Sequence, residues 1–149
     1  MTFITAVALT LVAIIGQGST PQPHQSKLVP QAFEHYEAIR ASLAGDSMAD
    51  VTTHATPLAA AAENIGGAAA KKAADNLAAA KSLEDARKHF GELSTILVPI
   101  FQKENIPGTS AFMCSMKKQS WMQKGDKVAN PYYGKSMLTC GSPLPAKGR

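Results

Sequence analysis

Apolar residues that return every three or four positions fill the first two thirds of the chain, and that period commits it to packed helices. Between Val29 and Leu43 the returning residues are Phe33, Tyr36, Ile39 and Leu43, with Gly45 as a stop. Met48, Val51, Ala55, Leu58, Ala62 and Ile65 then form a stripe that Asp46 or Ser47 can cap and that Gly66-Gly67 ends. Pro57 lies inside the stripe and removes a backbone donor, which predicts a kink or break over residues 53–57. The next segment, Ala68 to Lys81, has Leu77 as its one large aliphatic; its helix rests on alanine propensity, and it can approach a neighbour closely. Ser82, with Asp85 three residues on, resembles a capping box. It opens a fourth segment through Leu83, Ala86, Phe90, Leu93, Leu97 and Ile100, which Pro99 is expected to end early.

Four such segments with short connections predict a mainly α fold, an up-down bundle of about four helices. The length of 149 residues suits one core. Sparse aromatics and abundant alanine favour close-packed helices over a β-sandwich.

Ahead of the bundle, residues 2–15 form an apolar run broken only by Thr2, Thr5 and Thr10, too short to span a bilayer as a helix of about 20 residues. The run reads as a secretory leader over residues 1–18, cleaved before Ser19, although no Lys or Arg precedes it. The division that follows is a leader at 1–18, a flexible N-terminus at 19–27, the bundle at 28–107 and a Cys/Met-rich module at 108–149 packed on the bundle. The expected location is the periplasm or another exported compartment, with no stable membrane span once the leader is removed.

The character of the chain changes at Ile106-Pro107-Gly108. Beyond it lie the only Trp, two of three Tyr, four of six Met and both Cys. Charge changes too: residues 1–107 carry eight Lys and Arg against ten Asp and Glu, residues 108–149 seven against one, Asp126. The lysines are dispersed and read as a solvated surface rather than a nucleic-acid interface. A single carboxylate also disfavours a hard cation.

The module is expected to be irregular or to contain strands. A strand over Ala111 to Lys117 puts Cys114 and Met116 on one face and Met113 on the other. Turns are expected at Gly125-Asp126, Asn130-Pro131 and Gly134. One turn of backbone sets Met137 and Cys140 on a shared face. Folding the ends together gathers Cys114, Met116, Met137 and Cys140, two thiols and two thioethers, a donor set that selects cuprous copper, with silver or zinc as second choices. The same two cysteines can instead form a disulfide closing a loop of about 26 residues, contributing on the order of 3 kcal/mol. The methionines beside Trp121 and Tyr133 can be apolar filler. Both alternatives stand on the residues alone.

Among the histidines, His35 and His89 lie on predicted helices that a bundle can bring together, His54 lies near the expected kink and His24 in the N-terminus. None is assigned as a ligand. No phosphate-cradling loop, nucleophile elbow, HExxH or paired carboxylates appear, and neither Cys has a His in its own module. The expectation is a protein that is not an enzyme.

The string WMQKGDKVANPYYGKSMLTCG, Trp121 to Gly141, together with MCSM at Met113 to Met116, resembles the terminal motif of a bacterial exported domain family of unknown function. Members of that family occur alone or appended to periplasmic adaptor subunits of copper and silver efflux systems. Tyr36-x-x-Ile39 leading to Leu43-Ala44-x-Asp46, and Asp85-Ala86-Arg87 leading through Phe90 to Leu93-Ser94, are similar to its helical part. The family usually has Cys-Pro-Met where this chain has Cys114-Ser115-Met116, so both sulfurs remain and the stiffening proline does not. The resemblance implies a heavy-metal-binding accessory or chaperone, with an efflux adaptor or other envelope protein as partner. The competing expectation is an envelope interaction module without metal, stapled by a Cys114–Cys140 disulfide.

Overall fold

The structure, a computed structural model, describes residues 25–145; the expected leader and most of the expected flexible N-terminus lie outside them. Three helices come first, α1 (Gln25–Ala44), α2 (Val51–Ala78) and α3 (Leu83–Glu104). A hairpin of β1 (Thr109–Cys114) and β2 (Gln119–Lys124) follows, then a 3₁₀ turn at Gly134–Met137 and a two-residue strand β3 (Ser142–Pro143). Both pairings are antiparallel and β1 is the central strand, in the order β2-β1-β3.

The stripes read from the sequence are the buried faces: Phe33, Tyr36, Ile39 and Leu43 on α1, Val51, Ala55, Leu58 and Ala62 on α2, and Phe90, Leu93 and Leu97 on α3 are fully buried. Aromatic rings join α1 to α3, with Tyr36 stacked on Phe90 at 4.8 Å and Phe33 edge-on to Phe101 at 5.3 Å between centroids. The alanine side of α2 lets that helix sit close, and at Gly66 an added Cβ would press on Ile96 and Leu97 of α3.

Four expectations about the helices are corrected. The structure has three helices rather than four because the second and third segments run together as α2, although the break expected at Gly66-Gly67 is present: Gly67 leaves helical geometry (φ 76°, ψ −171°) and α2 kinks there. A single glycine accommodates the change of direction because it reaches positive φ without steric cost. No break occurs near Pro57, and Pro99 does not end α3, which continues to Asn105 in the left-handed conformation. Both prolines are exposed, so the carbonyls that lose an intrahelical partner face water. The residue ahead of α2 is Asp50 rather than Asp46 or Ser47, and it is held by Ser42 Oγ donating to its carboxylate at 2.7 Å. The Ser82 cap is present, with Oγ accepting from the Asp85 N–H at 3.1 Å.

One core runs through the bundle and the C-terminal module. Met122 N donates to the Tyr36 hydroxyl, Tyr132 packs on Phe90, and Trp121 lies between Phe112 and Tyr132. Against α3, the Gln119 side chain lies over Gly91, where any Cβ would collide with it. No helix among the described residues is long and apolar enough to cross a membrane.

Candidate functional site

β1 ends at Cys114, and Ser115 to Lys118 form the hairpin turn, closed by Lys118 at φ 54°. The strand expected to continue to Lys117 is therefore shorter. Met116 does not share a strand face with Cys114; it projects from the turn and is 59% exposed. The left-handed residue that makes the turn is a lysine, which gave no glycine signal in the sequence. Cys114 itself is fully buried on the hairpin face that carries Phe112 and Trp121, as its pairing with Gln119 requires.

The second pair is placed by Asn130. This residue is fully buried: its Oδ1 accepts from Tyr132 N at 2.8 Å, its Nδ2 donates to the Cys140 carbonyl at 2.6 Å, and its own N–H donates to the Leu138 carbonyl at 2.8 Å. Cys140 N donates back to the Met137 carbonyl at 3.0 Å, the single turn expected for this pair, and both side chains are half-buried. Asn130 thus ties residues 132, 138 and 140 to one side chain and peptide unit.

Three further side chains fix the segment, and sequence reasoning had assigned them no role. Arg40 of α1 donates to the Ala129 carbonyl at 3.0 Å while paired with Glu37. Arg87 of α3 donates to the carbonyls of Pro131 and Leu43, each at 2.9 Å, and pairs with Asp46. Gln123, 2% exposed, accepts from the Trp121 indole N–H and from Ala129 N, and donates to the Lys127 carbonyl. The Arg87 hydrogen bond is the main reason that the Asp46 carboxyl is held below its ordinary value, helped by the Lys135 N–H. Burial pushes the phenols of Tyr36 and Tyr132 well up, so both are neutral hydroxyls near neutral pH; Tyr36 bonds Ser94 Oγ at 2.8 Å and Tyr132 donates to the Ser120 carbonyl at 2.6 Å.

Two contacts set the sulfur-bearing segments side by side. At one end Met113 pairs with Ser142; at the other the Lys117 ammonium sits over the Tyr133 ring, 5.3 Å from its centroid. Cys114 and Met116 lie between these contacts on one segment, and Met137 and Cys140 between them on the other. Both cysteines are free thiols. Continuing the Met113–Ser142 register sets Gly141, not Cys140, across from Cys114. Among the described residues no three His, Cys, Asp or Glu side chains form a group that could hold a metal ion.

The histidines pair differently from expectation. His89 bonds Glu92 on its own helix at 2.9 Å. His35 meets His54 of α2, not His89, with Nδ1 atoms 3.0 Å apart. No known protein family, curated protein or solved structure matches the chain.

Proposed function

We propose that this protein is an exported accessory or chaperone that binds a soft metal ion, with cuprous copper as its cargo and silver or zinc as weaker alternatives. Cys114 and Cys140 supply thiolates, and Met116 and Met137 supply thioethers. The observation that carries the reading is the pair of contacts, Met113–Ser142 and Lys117–Tyr133, which bracket all four sulfur-bearing residues. The donor chemistry fits: both thiols are unpaired, one thioether is exposed at the hairpin turn, and the Met137–Cys140 turn is anchored by Asn130. Cys114 is covered by protein, so an ion arriving at Met116 reaches it only as the hairpin turn opens. Such a two-stage entry suits transient cargo: the exposed thioether makes first contact and the buried thiolate provides retention. A periplasmic efflux adaptor or another envelope protein is the proposed partner.

Anaerobic titration of the reduced protein with cuprous ion, in competition with a chromogenic chelator, tests the reading. Binding that is lost in a Cys114→Ser, Cys140→Ser variant supports it, and equal binding by the two proteins overturns it. Thiol counting on protein recovered from its native compartment addresses the rival staple: a permanent Cys114–Cys140 bridge there would replace the metal reading with a disulfide-stapled interaction module.

A further inference from the structure

The bundle carries a second constellation of donor atoms, of different chemistry. His35 on α1 and His54 on α2 place their Nδ1 atoms 3.0 Å apart, with ring centroids at 5.3 Å and ring planes at 47°. Among the described residues neither ring makes another hydrogen bond. Both are half-buried on helices rather than loops, so their separation is fixed by the packing of α1 on α2. A surface hollow of about 470 Å³ opens beside His35, with Gln31, Glu34 and Asn64 contributing polar groups to its lining.

Two imidazole nitrogens this close can share one hydrogen, one ring donating and the other accepting, which requires the accepting ring to be neutral. Burial first, and His54 second, hold the His35 imidazole below its ordinary proton affinity. The two Nδ1 atoms offer a two-nitrogen donor set across the helix interface. Metal–imidazole bonds are about 2.0–2.1 Å. Nitrogens 3.0 Å apart therefore subtend close to a right angle at a shared ion. That is the cis angle of a square-planar, tetragonal or octahedral sphere, and it is narrower than a tetrahedral angle. Imidazole donors in such an arrangement suit Cu(II) and Ni(II) ahead of Zn(II).

We propose that His35 and His54 form a divalent-metal site across the α1–α2 interface, taking Cu(II) or Ni(II) through both Nδ1 atoms, with water from the hollow completing the sphere. Both rings turn so that their lone pairs converge on the ion. A neutral donor ring carries its hydrogen on Nε2 instead and releases no net proton, whereas a donor ring that starts as imidazolium releases one. The site does not depend on the sulfur centre. It differs from it in ligand class, in the oxidation state it prefers and in location.

The test uses the full chain with Cys114→Ser and Cys140→Ser, which removes thiols that would reduce Cu(II) or compete for Ni(II), and leaves His24 in place throughout. Calorimetric Ni(II) titration of this parent is compared with the same chain carrying His35→Gln or His54→Gln. Each Gln variant is expected to weaken binding by about tenfold or more, equivalent to about 1.4 kcal/mol. Equal affinity and stoichiometry in parent and variants would overturn the site. Electron paramagnetic resonance of the Cu(II)-loaded parent gives a reading independent of variant folding: a tetragonal signal with coupling from two imidazole nitrogens supports the proposal, and a signal without nitrogen coupling contradicts it. Cuprous binding by a His54→Gln chain that retains both cysteines is expected to be unchanged, so the two metal readings can fail separately.

Discussion

Replacing Asn130 with Ala removes the side chain that bonds the Cys140 carbonyl and so anchors the Met137–Cys140 turn. Its Nδ2 bond to the Cys140 carbonyl and its Oδ1 bond from Tyr132 N, at 2.6 and 2.8 Å, would both be lost, leaving two backbone groups without partners. A buried polar group left unsatisfied costs about 1–3 kcal/mol. Tyr132 is buried and carries the full cost, whereas half-buried Cys140 is partly rehydrated. The expected destabilisation is roughly 2–5 kcal/mol, or a fall in Tm of about 6–15 °C for a domain of this size. Asn130→Asp keeps the acceptor for Tyr132 N but turns a carboxylate oxygen toward the Cys140 carbonyl and buries a charge, so it should be worse than Ala at neutral pH. It should recover as acid protonates the Asp and restores a donor. Urea unfolding with matched m values reads the stabilities, and the rate at which Cys140 reacts with a disulfide reagent reads the local loosening, expected to rise in both variants. The reasoning is refuted if Asn130→Ala unfolds within about 0.5 kcal/mol of wild type, the range of ordinary surface substitutions, or if Asp is tolerated better than Ala at neutral pH.

Other consequences are sharp enough to measure. Gly91→Ala places its new methyl against the amide end of the Gln119 side chain, which must swing aside, and gains about 0.8–1 kcal/mol of helix propensity, so denaturant unfolding should shift by less than about 1 kcal/mol; with Gln119→Ala also present the same substitution should be more favourable, and strictly additive effects would show that the two residues do not meet. Because the folded Asp46 carboxyl is held below its ordinary value, chiefly by Arg87, its contribution to stability is present above the unfolded carboxyl pKa of about 4 and is lost as pH falls through the lower folded value. Asp46→Asn should therefore flatten the acid limb of a Tm-against-pH curve below about pH 4, and a limb as steep as that of wild type would contradict the pairing.

Much of the fold was present in the spacing of particular residues. Phe33, Tyr36, Ile39 and Leu43, and then Phe90, Leu93 and Leu97, announced their buried faces because a helical stripe is a local property. Gly66-Gly67 was legible as an end, and Gly67 does interrupt helical geometry; what spacing did not show is that the two stretches meet directly at that kink, with no connecting loop. The prolines misled because their effect depends on whether the freed carbonyl faces water, which spacing does not reveal. In the module, a separation of three residues allowed Met137 and Cys140 to share a turn without requiring one, and the end of β1 depended on a lysine adopting positive φ. The clamps from Arg40 to Ala129 and from Arg87 to Pro131 join residues far apart in sequence, so as single charges they resembled ordinary surface groups. The His35–His54 pair was hidden for the same reason, since the crossing of α1 on α2 selects which imidazoles meet.

The central claim is that four sulfurs act together on one soft ion. Cuprous titration of wild type, of Cys114→Ser with Cys140→Ser, and of Met116→Leu with Met137→Leu, under one anaerobic competition assay, measures it most directly. Leucine keeps the bulk of methionine while removing its sulfur. The account predicts one equivalent bound by wild type, binding abolished without the thiols, and affinity reduced by about tenfold or more without the thioethers, equivalent to about 1.4 kcal/mol. Wild-type affinity in the thiol-free protein would contradict the account outright, and full affinity in the Met variant would remove the thioethers from it.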